Sequence, residues 1–325
     1  MTTSTRAAHL DVVVGIDIGG TGTRLVAADP STNQVRARTV IPTPATGTPE
    51  EILSFLREQI NLVTRGKRPI AVGVGASGPV DLAGIIRNPD TLPAFTGLPL
   101  LDRLESITDG PVVIDNDAVC AALAEHVVGA ARHSPRSLHI TLGTGVGVCL
   151  LNADRPFRHY DGTHPEGGHI SVAIPTNRCY CGRAACWEQA VSRQTLQRTA
   201  ARILNRPPSD KTVISELAAL AARDDAVALA VFDSYGQGIA DGLGTLLTLY
   251  APTMVVIGGS AASYFDLYRE TIETSLDRLD GWIPKHQMVR TALDDYGGAI
   301  GGARLATIAL QKTHTEPWPV RSGGR

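Results

Sequence analysis

Three of the chain's five cysteines fall within eight residues, in CYCGRAAC from Cys179 to Cys186. Thiols that close together can be a disulfide fragment, a redox pair, metal ligands or small core side chains. The first residues, MTTSTRAAHL, lack the apolar stretch of a signal peptide, which predicts a cytoplasmic protein. Thiols stay reduced in that compartment, so it favours metal ligation over disulfides. Cys120 and Cys149 sit in apolar strings and read as core residues.

A second candidate is Asn116-Asp117, where the apolar run VVID passes straight into AVCAALAE. Ligands of α/β proteins usually bind at the C-terminal edge of the sheet. Asp117 is therefore either a general base or the cap of the helix that follows. Two glycine-rich turns are the third candidate: DIGGTGT, with Asp17, Gly19, Gly20, Thr21, Gly22 and Thr23, and LGTGVG, with Gly143, Thr144 and Gly145. Glycines let backbone N–H groups converge on an anion, and threonine hydroxyls add donors. Asp17 would repel phosphate directly, so its work in such a cradle is to hold a hydrated Mg2+. The alternative is a pair of plain hairpin turns. A further stretch, GVGASG from Gly73 to Gly78, fits the dinucleotide pattern, but Pro79 and VDLAGII predict turn and strand where that pattern needs a helix.

The elements around these residues alternate. VVVGIDI and TRLVAAD are strands joined by the first glycine turn, VRARTVIP is a third, and Thr48 with Pro49 starts a helix whose face carries Ile52, Phe55, Leu56 and Ile60. PIAVGVG reads as a buried strand. SLHITLGTGVGVCLLNAD repeats the plan of the first hairpin: apolar strand, glycine turn, apolar strand, Ala-Asp. Helices follow from Trp187 to Leu204, Val213 to Ala222 and Ala226 to Leu249. The strand MVVIGGS, a helix to about Arg278 and a last helix from Ala299 close the chain, which gives an α/β fold.

The 325 residues exceed one typical domain, and 43% hydrophobic with 19% charged residues supply ample core material. A formal net charge of −2 offers no field for nucleic acid or an anionic membrane, and no run reaches the roughly 20 apolar residues of a membrane span.

Together these segments resemble the ROK family (repressor, open reading frame, kinase) of sugar kinases, in the actin/hexokinase superfamily. The matching stretches are DIGGTGT, GASGPVD, NDAVCAALAE, LGTGVG, EGGH, CYCGRAACWE and VVIGGS, which cover about 13–310 in family order. The resemblance implies a two-lobed actin/hexokinase-like fold, duplicated and ribonuclease H-like, with sugar and ATP in a cleft between the lobes. The N-terminal lobe is expected over 10–117 with a helix at about 299–312, the C-terminal lobe with the cysteine motif over 118–298, and a disordered tail over 313–325. The implied reaction is ATP-dependent phosphorylation of a hexose, glucose to glucose 6-phosphate being the commonest in the family.

Carried over by position, Asp117 matches the family's catalytic base, and Gly78, Asp90, Asn116, Asp117, Glu166, His169 and Glu188 line the sugar. The two glycine turns meet the phosphates with Mg2+, and Gly258 and Gly259 lie near the nucleoside. His169, Cys179, Cys181 and Cys186 supply a closed set of four ligands for a structural Zn2+, which pins the loop of Glu166 to the segment of Glu188.

Some positions depart from the family pattern. Gly22 and Thr23 replace a lysine-bearing sequence, Pro165 and Ala185 stand in the place of glycines, and Asp90 stands in that of a sugar-contacting Asn. They leave the sugar open among glucose, N-acetylmannosamine, N-acetylglucosamine, fructose and allose, with polyphosphate an alternative donor. Sugar-sensing regulators share the fold, but the 16 residues before Asp17 are too few for a helix-turn-helix unit. The expected partners are sugar, nucleotide and a second copy in a homodimer or homotetramer, without nucleic acid or membrane.

Overall fold

The computed structural model describes residues 11–279 and 281–312, so the tail expected over 313–325 lies outside the described residues. The chain divides into two compact units, the first containing residues up to 132, 158–164 and those from 293 onward, the second 133–157 and 165–292.

The first unit is built on a five-stranded sheet of β1 (Val13–Ile18), β2 (Thr23–Ala28), β3 (Val35–Ile41), β4 (Ala71–Ala76) and β5 (Val112–Asn116), in the order β3-β2-β1-β4-β5. β1 runs antiparallel to β2 across the first glycine turn and parallel to β4, which is parallel to β5. Continuous apolar runs suit the central strands, which are covered on both faces. One cover is α1 (Pro49–Thr64), opened by a capping box between Thr48 and Glu51 and packed through Ile52, Leu56 and Ile60. The other is α9 (Gly297–Lys312), which lies against β1 and β4 with almost no side chain between. A Cβ on Gly15 would overlap the Ala299 carbonyl, and one on Gly73 the Gly302 carbonyl.

That packing explains Gly73 of GVGASG without a dinucleotide, while Gly75 lies against Cys120 and Gly78 against Asn88. Gly78 leads into a turn and an antiparallel bridge between Val80 and Ile86, as the residues after it predict.

The first unit extends further than the expected end at Asp117. Helix α3 (Asp117–Val127) belongs to it, because Ala118, Val119, Cys120 and Ala122 are buried and Gly301 of α9 touches the Cys120 carbonyl. Residues 158–164 join it through an ion pair between Arg158 and the buried Asp115.

The second unit contains β6 (Arg136–Leu142), β7 (Val146–Asn152), β8 (Arg155–Pro156), β9 (Met254–Gly258) and β10 (Gln287–Arg290), ordered β10-β9-β6-β7-β8. β6 is antiparallel to β7 and parallel to β9. Strand for strand, β6 to β10 repeat β1 to β5 in order and direction, so the two similar hairpins belong to a duplicated fold.

Its helices are α4 (Trp187–Val191), α5 (Arg193–Ile203), α6 (Val213–Ala221), α7 (Ala226–Tyr250) and α8 (Arg269–Asp277). The helix expected from Trp187 to Leu204 is two, because Ser192 is extended and its side chain caps α5 at the Thr195 N–H. Trp187 is fully buried against Gly242 of α7, and its Nε1 donates to the Gly238 carbonyl at 2.9 Å. No described helix is long and apolar enough to cross a membrane.

Candidate active site

In the first unit β5 delivers Asn116 and Asp117 to the N-terminus of α3. Asn116 is the cap: its Oδ1 accepts from the Ala118 N–H at 2.8 Å, and its Nδ2 donates to the Gly78 carbonyl at 3.2 Å. The side-chain cap of α3 is therefore Asn116 and not Asp117. The Asp117 carboxylate instead accepts a 2.7 Å hydrogen bond from Ser77 Oγ at Oδ2. Asp117 keeps part of its surface open to solvent. Burial by the surrounding protein raises its pKa above the ordinary carboxylate value, with the Ser77 hydrogen bond opposing that rise.

Asp17 is the penultimate residue of β1, and its pKa is raised to about 7 by burial first and by the charge of Asp117 second, with Arg24 opposing. Gly298 at the start of α9 lies against its carboxylate, where a Cβ would collide. Two neighbouring carboxylates that burial makes reluctant to ionise are a setting that a hydrated Mg2+ suits. In the turn after Asp17, Thr23 turns inward: its hydroxyl is buried 2.9 Å from that of Thr43, which donates to the Gly19 carbonyl. Thr23 therefore braces the turn, while Gly20 and Thr21 are exposed.

Asp90 is exposed, whereas Asn88 and Thr91 face inward. Asn88 Nδ2 donates to the Ser77 carbonyl at 3.0 Å, its Oδ1 accepts from the Thr91 N–H, and Thr91 lies on Gly20. Gly78 has a φ of +87°, and Asn88 fills the place of its missing Cβ. Ser77 and Asn88 are thus the residues that sequence reasoning missed. Position beside Gly78 in GASGPVD was the only signal for Ser77.

In the second unit the two segments of the expected sugar site meet. Gly167 and Gly168 form a short 3-10 turn pressed on β7, since Cβ atoms there would strike Val148 and the Val146 carbonyl. The next residues pair with the end of the cysteine loop: Val172 N–H donates to Ala185 O at 3.0 Å, and Trp187 N–H to Ile170 O at 2.9 Å. Buried Trp187 in turn sets Glu188, whose Oε2 accepts from the Val146 N–H at 3.1 Å. Gly145 has no room for a Cβ because Glu188 Oε2 occupies it. The second glycine turn therefore shapes the Glu188 carboxylate site. Gly259, with φ +78°, lies against the Leu142 backbone just before the same turn, and Gly258 pairs with Thr141. Thr144 and Glu166 are exposed.

His169, Cys179, Cys181 and Cys186 bring one donor atom each within 4.8 Å of one another. His169 Nδ1 lies 3.2 Å from Cys186 Sγ and 3.7 Å from Cys179 Sγ. Tetrahedral zinc with these ligand types has donor separations of about 3.5–3.8 Å, so the set fits that ion. The other imidazole nitrogen, Nε2, lies 3.0 Å from the Tyr180 hydroxyl.

The sequence profile of the ROK family matches residues 13–309. A crystal structure of a ROK hexokinase from Thermus thermophilus is 31% identical, covers 92% of this chain and 99% of its own, and has a TM-score of 0.78. A ROK family glucokinase from Streptomyces griseus, solved in complex with glucose and AMPPNP, is 29% identical over 91% of this chain and 99% of its own, with a TM-score of 0.76. An N-acetyl-D-glucosamine kinase of Salmonella paratyphi C is 28% identical over 90% of this chain and 98% of its own.

Proposed function

This chain belongs to the ROK family and is a sugar kinase, and we propose that it transfers the γ-phosphoryl group of ATP to a hexose, glucose first, with Asp117 as general base. The observation that carries the role of Asp117 is its release from capping by Asn116, together with the Ser77 hydrogen bond on one carboxylate oxygen. The remaining oxygen, Oδ1, takes the proton of the sugar hydroxyl as that oxygen attacks the γ-phosphorus. The bond from γ-phosphorus to the bridging oxygen breaks, and ADP leaves with the electron pair.

Asn116, Glu166, His169 and Glu188 hold the neighbouring hydroxyls, because carboxylates and an imidazole offer the acceptors and donor that a polyol needs. The glycine turns offer backbone N–H groups to the phosphates. Mg2+, held at Asp17, neutralises phosphate charge when bound. Zn2+ on His169, Cys179, Cys181 and Cys186 leaves no open position, so its contribution is to hold the Glu166 loop against the Glu188 segment.

N-acetylglucosamine is the first alternative sugar, on the strength of the Salmonella relative. The test is ADP release across glucose, N-acetylglucosamine, N-acetylmannosamine, fructose and allose, with polyphosphate tried as donor in parallel. Turnover with none of them overturns the reading. The proposal includes a cytoplasmic homodimer or homotetramer, which fractionation and light scattering test.

A further inference from the structure

Tyr180 has no part in the reaction above, yet its side chain meets two residues of the sugar site. Its hydroxyl lies 3.0 Å from His169 Nε2, and its ring stands edge-on to the imidazole at 5.1 Å. The Glu188 carboxylate lies close enough for its charge to act on the same hydroxyl. With Nδ1 turned to the thiols as a metal ligand, the imidazole carries its proton on Nε2. The Tyr180 oxygen then accepts from Nε2–H. A sugar hydroxyl bound at the same nitrogen would accept the same hydrogen bond.

The rest of the side chain is free to leave. Tyr180 is 73% exposed, so little besides the hydroxyl and the edge contact holds it. Its neighbours Cys179 and Cys181 are both in the ligand set, which fixes the backbone on either side and leaves rotation of the side chain as the available movement.

We propose that Tyr180 is a built-in stand-in for a sugar hydroxyl: it fills the acceptor position at His169 Nε2 while the site is empty and gives it up when sugar binds. The hexose must therefore displace a tethered competitor, and Tyr180 sets how tightly it is held. This rests on the sugar-kinase reading.

Tyr180→Phe keeps the ring and removes the competitor. Calorimetric titration with glucose is expected to give a Kd about 2- to 10-fold lower than wild type, the fold-change of one net hydrogen bond, with KM for glucose falling in step and zinc still at one per chain. An unchanged Kd means that Tyr180 only supports the cysteine loop, and a higher Kd means that it binds the sugar directly; either result overturns the proposal. If the variant loses zinc or fails to fold, crystal structures of the wild type with and without glucose decide. The Tyr180 hydroxyl should have left His169 Nε2 for a glucose hydroxyl, and a tyrosine still in place beside bound glucose refutes it. Failure of the kinase reading is distinct, since it appears as wild type that releases ADP with no hexose.

Discussion

Ser77 Oγ donates a 2.7 Å hydrogen bond to Oδ2 of Asp117, across the parallel edge where β4 and β5 end. The bond favours the ionised carboxylate and holds one of its two oxygens, so a residue of no obvious chemistry supports the proposed base. Ser77→Ala should lower kcat about tenfold, near the lower end of what a hydrogen bond to a charged group contributes. It should also move the acid limb of the pH profile. A general base works ionised; the pKa of Asp117 lies above the ordinary value, and the Ser77 bond opposes that rise. Activity therefore climbs as pH rises through the Asp117 pKa, and in the variant it climbs at higher pH. Profiles of kcat/KM for the two proteins check both statements.

Asp17 carries a stability prediction. Its folded pKa of about 7 stands above the 3.8 of the unfolded chain, so the folded state holds a proton that the unfolded state has lost between those values. Stability from this group is present below about pH 4 and is lost as pH rises towards 7. Asp17→Asn removes the penalty and should stabilise the protein at pH 8, by an amount on the order of a few kcal/mol, with little effect at pH 4. Urea melts at the two pH values measure it. Equal midpoints for wild type and variant at pH 8 would show that Asp17 is not strained by burial.

Gly145 lies beneath Glu188 Oε2, so Gly145→Ala should displace that carboxylate. If the glycine serves the sugar side as well as the phosphates, KM for glucose rises more than KM for ATP, by roughly tenfold against little change, as for the loss of one charged hydrogen-bonding group. Steady-state kinetics with each substrate varied in turn gives the answer, and a rise confined to ATP would return Gly145 to the phosphate cradle alone.

Much of this site was legible because local chemistry demanded it. The strand–glycine–strand hairpins, the Thr48 cap and the close cysteines are short-range features, and their elements fall where periodicity places them. What the sequence hid depends on distant partners. Asp117 reads as the cap candidate from the sequence, and only the helix geometry gives that role to Asn116. Ser77 reads as a turn residue until β4 and β5 are side by side. The first unit's claim on 158–164 hangs on Arg158 meeting Asp115, 43 positions away. The glycines of Gly73 and Gly145 suggest phosphate by pattern, yet the space they vacate is filled by a helix backbone and a carboxylate.

The zinc site predicts a split between ligands. Cys181→Ser should empty the site or weaken it, since a serine hydroxyl is a far poorer zinc ligand than a thiolate. Backbone hydrogen bonds from 170–172 to 185–187 and the buried Trp187 should keep the second unit folded. Glucose affinity should fall roughly tenfold or more, the range for loosened support of a metal-held site, while ATP affinity holds. Metal analysis and paired calorimetric titrations test this. Wild-type protein prepared without chelator that contains no zinc contradicts it.

The base itself is tested most directly by Asp117→Asn, which keeps the size of the side chain and its place at the start of α3 but cannot accept the proton. Turnover of the purified variant with saturating glucose and ATP, set beside its glucose Kd, is the measurement. The account predicts a fall in kcat on the order of 10²-fold or more with glucose binding nearly unchanged. A variant that turns over at close to the wild-type rate would contradict Asp117 as the general base.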